Sequence, residues 1–332
     1  MMSVKVIHPG LLTTIQDLGR FGSQKFGVIV SGAMDPISLR VANLLVGNFE
    51  GEGALEITLL GTTLQFGSDQ LIAITGGDLQ PTIDGEKAPM WRPLLIRKGS
   101  ILKFKSAITG CRAYVAFAGG IKVPEVLGSK STYLRAAIGG IQGRALRKGD
   151  EFTCGNYSTI SLAFVQQLEK MNNHFTWSVN FSEFFSFDKT QTVRVLQGSE
   201  FNHFDKASQH AFFSDSYTLT TEADRMGYRL DGKQLDLAKK FELLSEGVTY
   251  GTIQVPSNGQ PIILMVDRQT TGGYPKIGQV ISVDLPRLAQ LQPKAKILFK
   301  ETTLEQAEAE LINQEIMLNE LALGIRMKAL HR

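Results

Sequence analysis

Short apolar runs, separated by turn residues, dominate the pattern of hydrophobic and polar positions along the first half of the chain. The runs cover residues 54–60, 71–75, 94–97, 101–104 and 113–118. Each is four to seven residues long and is bounded by Gly, Asp or Pro, which is typical of strands in barrels and sandwiches. We therefore expect a mainly β protein.

The second half repeats this pattern after an interruption. The regular succession of short apolar runs and turn residues stops in residues 156–190, which favours a domain junction near residue 185. We expect a first β domain over residues 1–185 and a second over residues 186–300. A turn-plus-strand pattern recurs in both halves, which favours related barrels in tandem.

Few helices are expected. Asp35 is a typical N-cap, because Pro36 follows at the first helical position and Gly47 stands just beyond the predicted end. A shorter helix should begin near Asp284, where a proline and spaced leucines follow. Good helix formers fill the end of the chain, so residues 301–332 should form a helical arm.

Composition narrows the class of protein. With 332 residues, 43% of them hydrophobic, the chain can form two domains with real cores. A net charge of +3, with acids and bases well mixed, argues against nucleic acid or an anionic membrane as a partner. No run approaches the ~18 apolar residues of a membrane span, and the first residues do not resemble a signal peptide. We expect a cytoplasmic protein.

Residues 267–278 are the most informative stretch for chemistry. They follow an apolar run at residues 261–266, which predicts a buried strand. An acid, an amide, hydroxyls, a phenol and a base therefore come together at a strand end, where scaffolds often present functional groups. The candidate residues are Asp267, Gln269, Thr271, Tyr274 and Lys276.

A predicted hairpin adds one residue to this group. Thr252 and Gln254 alternate with apolar residues, so both should project from one face of a strand. A tight turn at residues 256–259 would join that strand to the apolar run before Asp267. We expect this hairpin to bring Gln254 beside the strand end that carries Asp267 and Gln269.

Gln16, Asp17 and Arg20 form a second candidate group near the amino terminus. In one interpretation, Asp17 and Arg20 pair across a turn. In the other, the amide, the acid and the guanidinium hold a planar, amide-like ligand. The residues alone leave both interpretations open.

Two further segments offer cations for an anionic ligand. Residues 128–144 combine hydroxyls, bases and glycines, so their backbone N–H groups could cradle an anion, although such glycines more often mark turns. Arg135 is the candidate residue there. Arg225, in residues 221–230, could bind a carboxylate or phosphate through its fork geometry or belong to a structural ion pair.

Other types of site receive little support. The five histidines show no metal-ligand spacing, so no metal site is predicted. None of them lies near a Gly-Xaa-Ser-Xaa-Gly elbow, and no serine triad can be argued. Cys111 and Cys154 lie in unrelated contexts, which argues against a disulfide framework or a cysteine zinc site.

Five segments, taken together, are long enough to serve as a family signature. They are residues 9–20, 31–35, 131–140, 224–229 and 267–278. In this order the chain resembles the biotin-dependent carboxyltransferase / allophanate hydrolase subunit 2 family. The resemblance implies tandem cyclophilin-like β barrels.

The resemblance also implies an activity and partners. Free-standing bacterial members act with two partners, the A and B subunits, to open the lactam of 5-oxo-L-proline to L-glutamate with ATP hydrolysis. This implies a small amide substrate, ATP used by the complex and no activity of the chain alone. Arg225 or Arg135 would then bind the substrate carboxylate or the phosphoryl oxygens, and Gln254 and Gln269 would bind the amide. Asp267 would orient a cation or accept a proton.

Two alternatives stay open. One is a biotin-dependent carboxyltransferase component that acts on urea or another small amide. The other is a regulatory antagonist of a histidine-kinase inhibitor that resembles the B subunit (KipI-like). Because the sequence has neither a biotin-carboxylase domain nor a biotinyl-lysine motif, we do not expect a complete urea carboxylase, and biotin use is disfavoured.

Overall fold

A computed structural model describes residues 2–171, 175–184, 186–239 and 243–330. They fall into two compact units. The first unit contains the chain up to Arg20, residues Asp35–Ser186 and the chain from Ile316 onward. The second contains Phe21–Met34 and Phe187–Glu315. The predicted boundary at residue 185 lies outside the described residues, and the predicted domain limits stay predictions.

In the first unit the described strands form two antiparallel sheets. The strands are β1 Ser3–His8, β2 Leu12–Gln16, β3 Ala54–Thr58, β4 Thr63–Phe66, β5 Gln70–Asp78, β6 Thr82–Ile83, β7 Glu86–Lys87, β8 Pro93–Ile96, β9 Ile101–Lys103, β10 Thr109–Phe117 and β11 Glu151–Thr153. One sheet has the order β11-β1-β4-β9-β6-β7, and the other has the order β2-β3-β10-β5-β8. Apolar residues from both sheets form one core cluster, in which Phe117 meets Phe152 edge-to-face at 5.3 Å.

In the second unit the described strands include a closed barrel. The strands are β12 Thr190–Gln197, β13 Ser216–Leu219, β14 Gly227–Asp231, β15 Glu246–Gly247, β16 Thr252–Gln254, β17 Ile262–Leu264, β18 Thr271–Gly272, β19 Lys276–Val280 and β20 Lys296–Glu301. The barrel order is β12-β19-β16-β17-β14-β13-β20, and β15 pairs with β18 outside it. A parallel pairing between β12 and β20 closes the ring, whereas its other pairings are antiparallel.

Five α-helices accompany these strands in the described part of the chain. They are α1 Pro36–Leu45, α2 Thr159–Lys170, α3 Lys206–Ser214, α4 Leu285–Ala289 and α5 Leu304–Leu330. The predicted helices at Asp35, near Asp284 and at the end of the chain are confirmed. Asp35 caps α1, because its carboxylate accepts a hydrogen bond from the Ser38 N–H at 2.9 Å.

Helices α2 and α3 did not stand out in the sequence. Each begins with a side-chain cap, from Ser158 and Asp205 respectively. Such caps indicate the start of a helix in a sequence, but the neighbouring aromatic residues made the helical spacing of apolar residues hard to recognise. The predicted mainly β class with a carboxyl-terminal helix is confirmed.

Both cysteines are buried and should be unreactive in the folded protein. Burial raises the pKa of the Cys111 thiol, and it raises the pKa of Cys154 to about 12. Since the thiolate is the nucleophile, a thiol reagent at pH 8 should label neither cysteine of the native chain but both after denaturation. Rapid labelling of native Cys154 would contradict its burial.

Candidate functional site

Two of the sequence motifs meet in the second unit. Pairing between β14 and β17 continues past the strand ends, because the Asp267 N–H donates to the Arg225 carbonyl at 2.8 Å. The two side chains then join in a bidentate ion pair. Arg225 Nε donates to Asp267 Oδ2 at 2.9 Å, and Arg225 Nη2 donates to Oδ1 at 3.0 Å.

A third motif reaches the same ion pair through the segment before α1. The Ser31 hydroxyl donates to Asp267 Oδ1 at 2.8 Å, and Arg225 Nη2 donates to the Gly32 carbonyl at 2.7 Å. Ser31 has a φ of 57°, in the left-handed region that a serine rarely occupies. Strained backbone of this kind is common at functional positions. The strain at Ser31 therefore marks the cluster of Ser31, Arg225 and Asp267 as a candidate functional feature.

The environment of this cluster favours a positioning role. Arg225 and Asp267 are 6% and 5% exposed. Both carboxylate oxygens of Asp267 already accept hydrogen bonds from the cation and the hydroxyl. A buried pair with this geometry fixes the two loops that carry it, and breaking it leaves an uncompensated charge.

Arg268, the next residue, is a cation that the sequence analysis missed. Its Nε and Nη1 lie 3.4 Å from the carbonyls of Val248 and Met265, and no ion pair with a described acidic residue holds it. Burial lowers the pKa of the Arg268 guanidinium, although nearby Tyr250 and Asp267 oppose the shift. A guanidinium remains charged in proteins, so Arg268 is the best candidate here for binding an anion.

Lys276 lies in a different electrostatic setting. Its ammonium group is 2.6 Å from Glu246 and 3.7 Å from Glu200. Burial lowers the pKa of Lys276, but the hydrogen bond to Glu246 and the charge of Glu200 outweigh burial, so the pKa is raised. Lys276 therefore stays protonated at neutral pH and offers a positive charge rather than a base.

The predicted position of Gln254 is wrong. In the hairpin, Gln254 faces Ile262 at the start of β17, whereas Asp267 follows the other end of that strand. The reason is geometric, since the residues nearest the turn of a hairpin pair with each other. Gln254 is buried and instead donates to the Tyr274 carbonyl at 3.3 Å.

Gly272 lets this amide approach the loop. A Cβ at Gly272 would lie 2.5 Å from Gln254 Nε2, so any larger residue would displace the amide. The first glycine of the pair in the sequence motif therefore has a packing reason. By contrast, Gln269 and Thr271, which precede Gly272, are exposed.

A cavity of about 920 Å³ lies beside Tyr274 in the second unit. Most of its lining is apolar, with polar groups from Asp236, Ser257 and Tyr274. Such a lining, with few polar groups, is typical of small-molecule sites. Residues 273–275, within the 267–278 stretch, contribute part of the wall.

The amino-terminal candidates act together in the first unit. Asp17 accepts hydrogen bonds from the hydroxyls of Ser129 and Ser131, at 2.7 and 2.5 Å, and from the Lys130 N–H at 2.5 Å. Arg20 is fully buried and donates to the Ser131 carbonyl. Asp17 and Arg20 therefore hold the loop at residues 128–144 rather than each other.

Gln16 and Arg135 differ in their exposure to solvent, although both belong to the region around the loop at residues 128–144. Gln16 is fully buried, and its amide donates to Thr14 Oγ1 at 2.9 Å and to the Thr132 carbonyl at 3.1 Å. Arg135 is exposed at the tip of the loop, next to the exposed Leu134. The buried residues thus build a rigid base, and Arg135 is the part of the loop presented to solvent.

The motifs and the fold define a carboxyltransferase family, to which this chain belongs. The family model described as carboxyltransferase domain, subdomain A and B, matches residues 26–301. The chain is 40% identical to the C subunit of 5-oxoprolinase from Haemophilus influenzae over 309 residues, which covers 93% of this chain and 94% of that protein. It is also 40% identical to the C subunit of 5-oxoprolinase from Escherichia coli, over 96% of this chain and 97% of that protein.

A larger enzyme contains a similar fold. The structure of K. lactis urea amidolyase matches 96% of this chain with a TM-score of 0.86 and 28% identity. This chain covers only 20% of that protein. The similarity therefore concerns one part of a multi-part enzyme.

Two other features are absent from the described residues. No group of three or more His, Cys, Asp or Glu side chains among them is arranged to hold a metal ion. Within the same residues, none of the helices combines the length and apolar character that crossing a membrane requires.

Proposed function

We propose that this chain is the C subunit of an ATP-dependent 5-oxoprolinase, which opens 5-oxo-L-proline to L-glutamate together with the A and B subunits. The observation that carries the proposal is the 40% identity to two proteins of that name over almost the whole of each sequence. The Arg225–Asp267–Ser31 cluster supports it, because three motifs far apart in the sequence converge there.

The reaction needs activation of a poor electrophile. An amide carbonyl resists water, so we infer that the lactam oxygen is phosphorylated before hydrolysis. Fixed charges aimed at the developing anion are the main means by which enzymes stabilise such a step. Arg268 is suited to this role, or to binding the substrate carboxylate, because it forms no ion pair with a described acid. Arg225 is less suited, because Asp267 already engages it.

We assign the cyclic amide to the cavity beside Tyr274. Its volume of about 920 Å³ exceeds what a small cyclic amide fills. We infer that a partner supplies part of the wall when the complex forms. Gln254 then contributes indirectly, because its hydrogen bond to the Tyr274 carbonyl fixes the backbone of the loop that carries Tyr274.

We place the ATP site on one of the partners. Lys276 is paired with Glu246 and Glu200 of this chain, which makes it a poor ligand for triphosphate oxygens. The exposed Arg135 is a candidate to reach across to the phosphates that the partner binds. On this basis the isolated chain has no hydrolase activity.

The test is reconstitution with the A and B subunits, measured as glutamate release coupled to ATP hydrolysis. We expect Arg268→Met to lower kcat/KM for 5-oxoproline by at least ~100-fold, because a charged hydrogen bond to the reacting anion is lost. Arg268→Lys should recover part of the loss. Arg147→Met removes an exposed arginine elsewhere and serves as the matched control.

Two results would contradict the proposal. The first is a stable three-component complex that hydrolyses no 5-oxoproline. The second is full activity without this chain. Full activity of Arg268→Met would reject the anion role of Arg268 alone.

Carboxyl transfer to urea is a second candidate, favoured by the similarity to K. lactis urea amidolyase. Because a ligand that binds the native state raises its melting temperature, the complex should be screened with 5-oxoproline, urea and biotin. Stabilisation by biotin or urea, but not by 5-oxoproline, would favour this candidate.

A further inference from the structure

Helix α5 carries apolar residues on two opposite sides. On one side, Leu318, Ile325 and Ala329 are buried. The opposite side carries five apolar side chains that are 50–60% exposed, counting Leu330 at the last residue of the helix, and the four that precede Leu330 are here called the α5 stripe. They are Ile312, Ile316, Leu323 and Met327. At ~100° per residue these four fall within about 60° of one another around the helix.

The spacing of the α5 stripe is symmetric. Successive members are four, seven and four residues apart, so the pattern is the same in either direction along the helix. When two copies of α5 lie antiparallel about a two-fold axis, Ile316 faces Leu323, and Ile312 faces Met327. Each apolar side chain then meets an apolar side chain of the other copy, as an isologous interface requires.

The charges along the helix favour the same orientation. Acids lie from the start of the helix to just past its middle, at Glu305, Glu308, Glu310, Glu315 and Glu320. Within the described part of α5, bases lie only after these, at Arg326 and Lys328. An antiparallel pair sets the acidic part of one copy beside the basic part of the other, whereas a parallel pair sets acid beside acid. Asn319 lies at the midpoint, where a polar residue helps to fix register.

We propose that the α5 stripe is a self-association surface that binds α5 of a second copy of this chain in antiparallel orientation. Four half-exposed side chains bury less than the ~800 Å² per partner of a standard interface, so the dimer should be weak, with a micromolar or higher Kd. The proposal is independent of the catalytic assignment.

Sedimentation of the full chain from ~1 to ~200 µM tests for the dimer, and these limits bracket the weak-interface range. We expect a concentration-dependent increase in mass, and Leu323→Glu should raise the Kd at least ~10-fold by placing a charge in the stripe. Leu304→Glu is the matched control, because Leu304 is a similarly exposed leucine of α5 outside the stripe. A chain that remains monomeric throughout this range overturns the proposal.

Cross-linking tests the orientation. Chains with Ile316→Cys and chains with Leu323→Cys are mixed and oxidised; the native cysteines are buried and should not interfere. The antiparallel register predicts a disulfide between the two different variants. Efficient coupling of Ile316→Cys to itself would indicate a parallel pair, and equal coupling of all combinations would indicate random collision. Either result overturns the proposal.

Discussion

Asp267→Ala should lower the free energy of unfolding of the second unit by about 3–5 kcal/mol, because it leaves the buried Arg225 cation uncompensated. The loss should lower the melting temperature by roughly 10 °C or more. Arg225→Met should cost a similar amount, since it leaves the Asp267 carboxylate buried. Thermal and urea unfolding of the full chain measure both effects.

Two further variants separate the ion pair from general damage. The double variant Arg225→Met with Asp267→Ala removes both charges, so it should lose less stability than the two single losses added together. Glu222→Ala breaks the exposed ion pair with Arg229 and should change stability by no more than about 0.5 kcal/mol. Additive losses in the double variant would show that the two side chains are not coupled.

The sequence identified the right residues of this cluster but not their relation. Asp267 stood out because it follows an apolar strand, and Arg225 because its guanidinium could bind an anion or join an ion pair. Their pairing depends on the register between β14 and β17, which joins residues about forty positions apart. Ser31 joins from a third segment. No local pattern specifies such a meeting, whereas strand positions and helix caps are local and were predictable.

Arg268 shows a second limit of sequence reasoning. In the sequence its acidic neighbour, Asp267, suggests that the charge of Arg268 is simply balanced. In the structure Asp267 forms its ion pair with Arg225 instead, because the two backbones pair beyond the ends of β14 and β17. Arg268, which was not among the predicted residues, is therefore a candidate for the anion role that the sequence had suggested for Arg225.

Asp17→Ala should strongly destabilise the loop at residues 128–144 in the first unit. Its carboxylate accepts hydrogen bonds from Ser129, Lys130 and Ser131, and also from the Gly19 N–H at 2.7 Å. Removal leaves buried donors without an acceptor, each at a cost of about 1–3 kcal/mol, and partial relaxation should bring the net loss to about 3 kcal/mol. The loop at residues 128–144 should open locally before the unit unfolds.

Limited trypsin digestion detects that local opening directly, because Arg135 is exposed at the loop tip but lies on a rigid base. Cleavage after Arg135 should be at least ~10-fold faster in Asp17→Ala, because proteolysis follows the population of the open form. Asp17→Asn preserves the shape, but its amide can accept on only one of two sides, so an intermediate rate is expected. Lys5→Ala, in an exposed pair with Glu151, controls for nonspecific effects. Equal cleavage rates in Asp17→Ala and the unmodified chain would mean that Asp17 does not hold the loop, and the open interpretation of Asp17 as a ligand-binding residue would regain support.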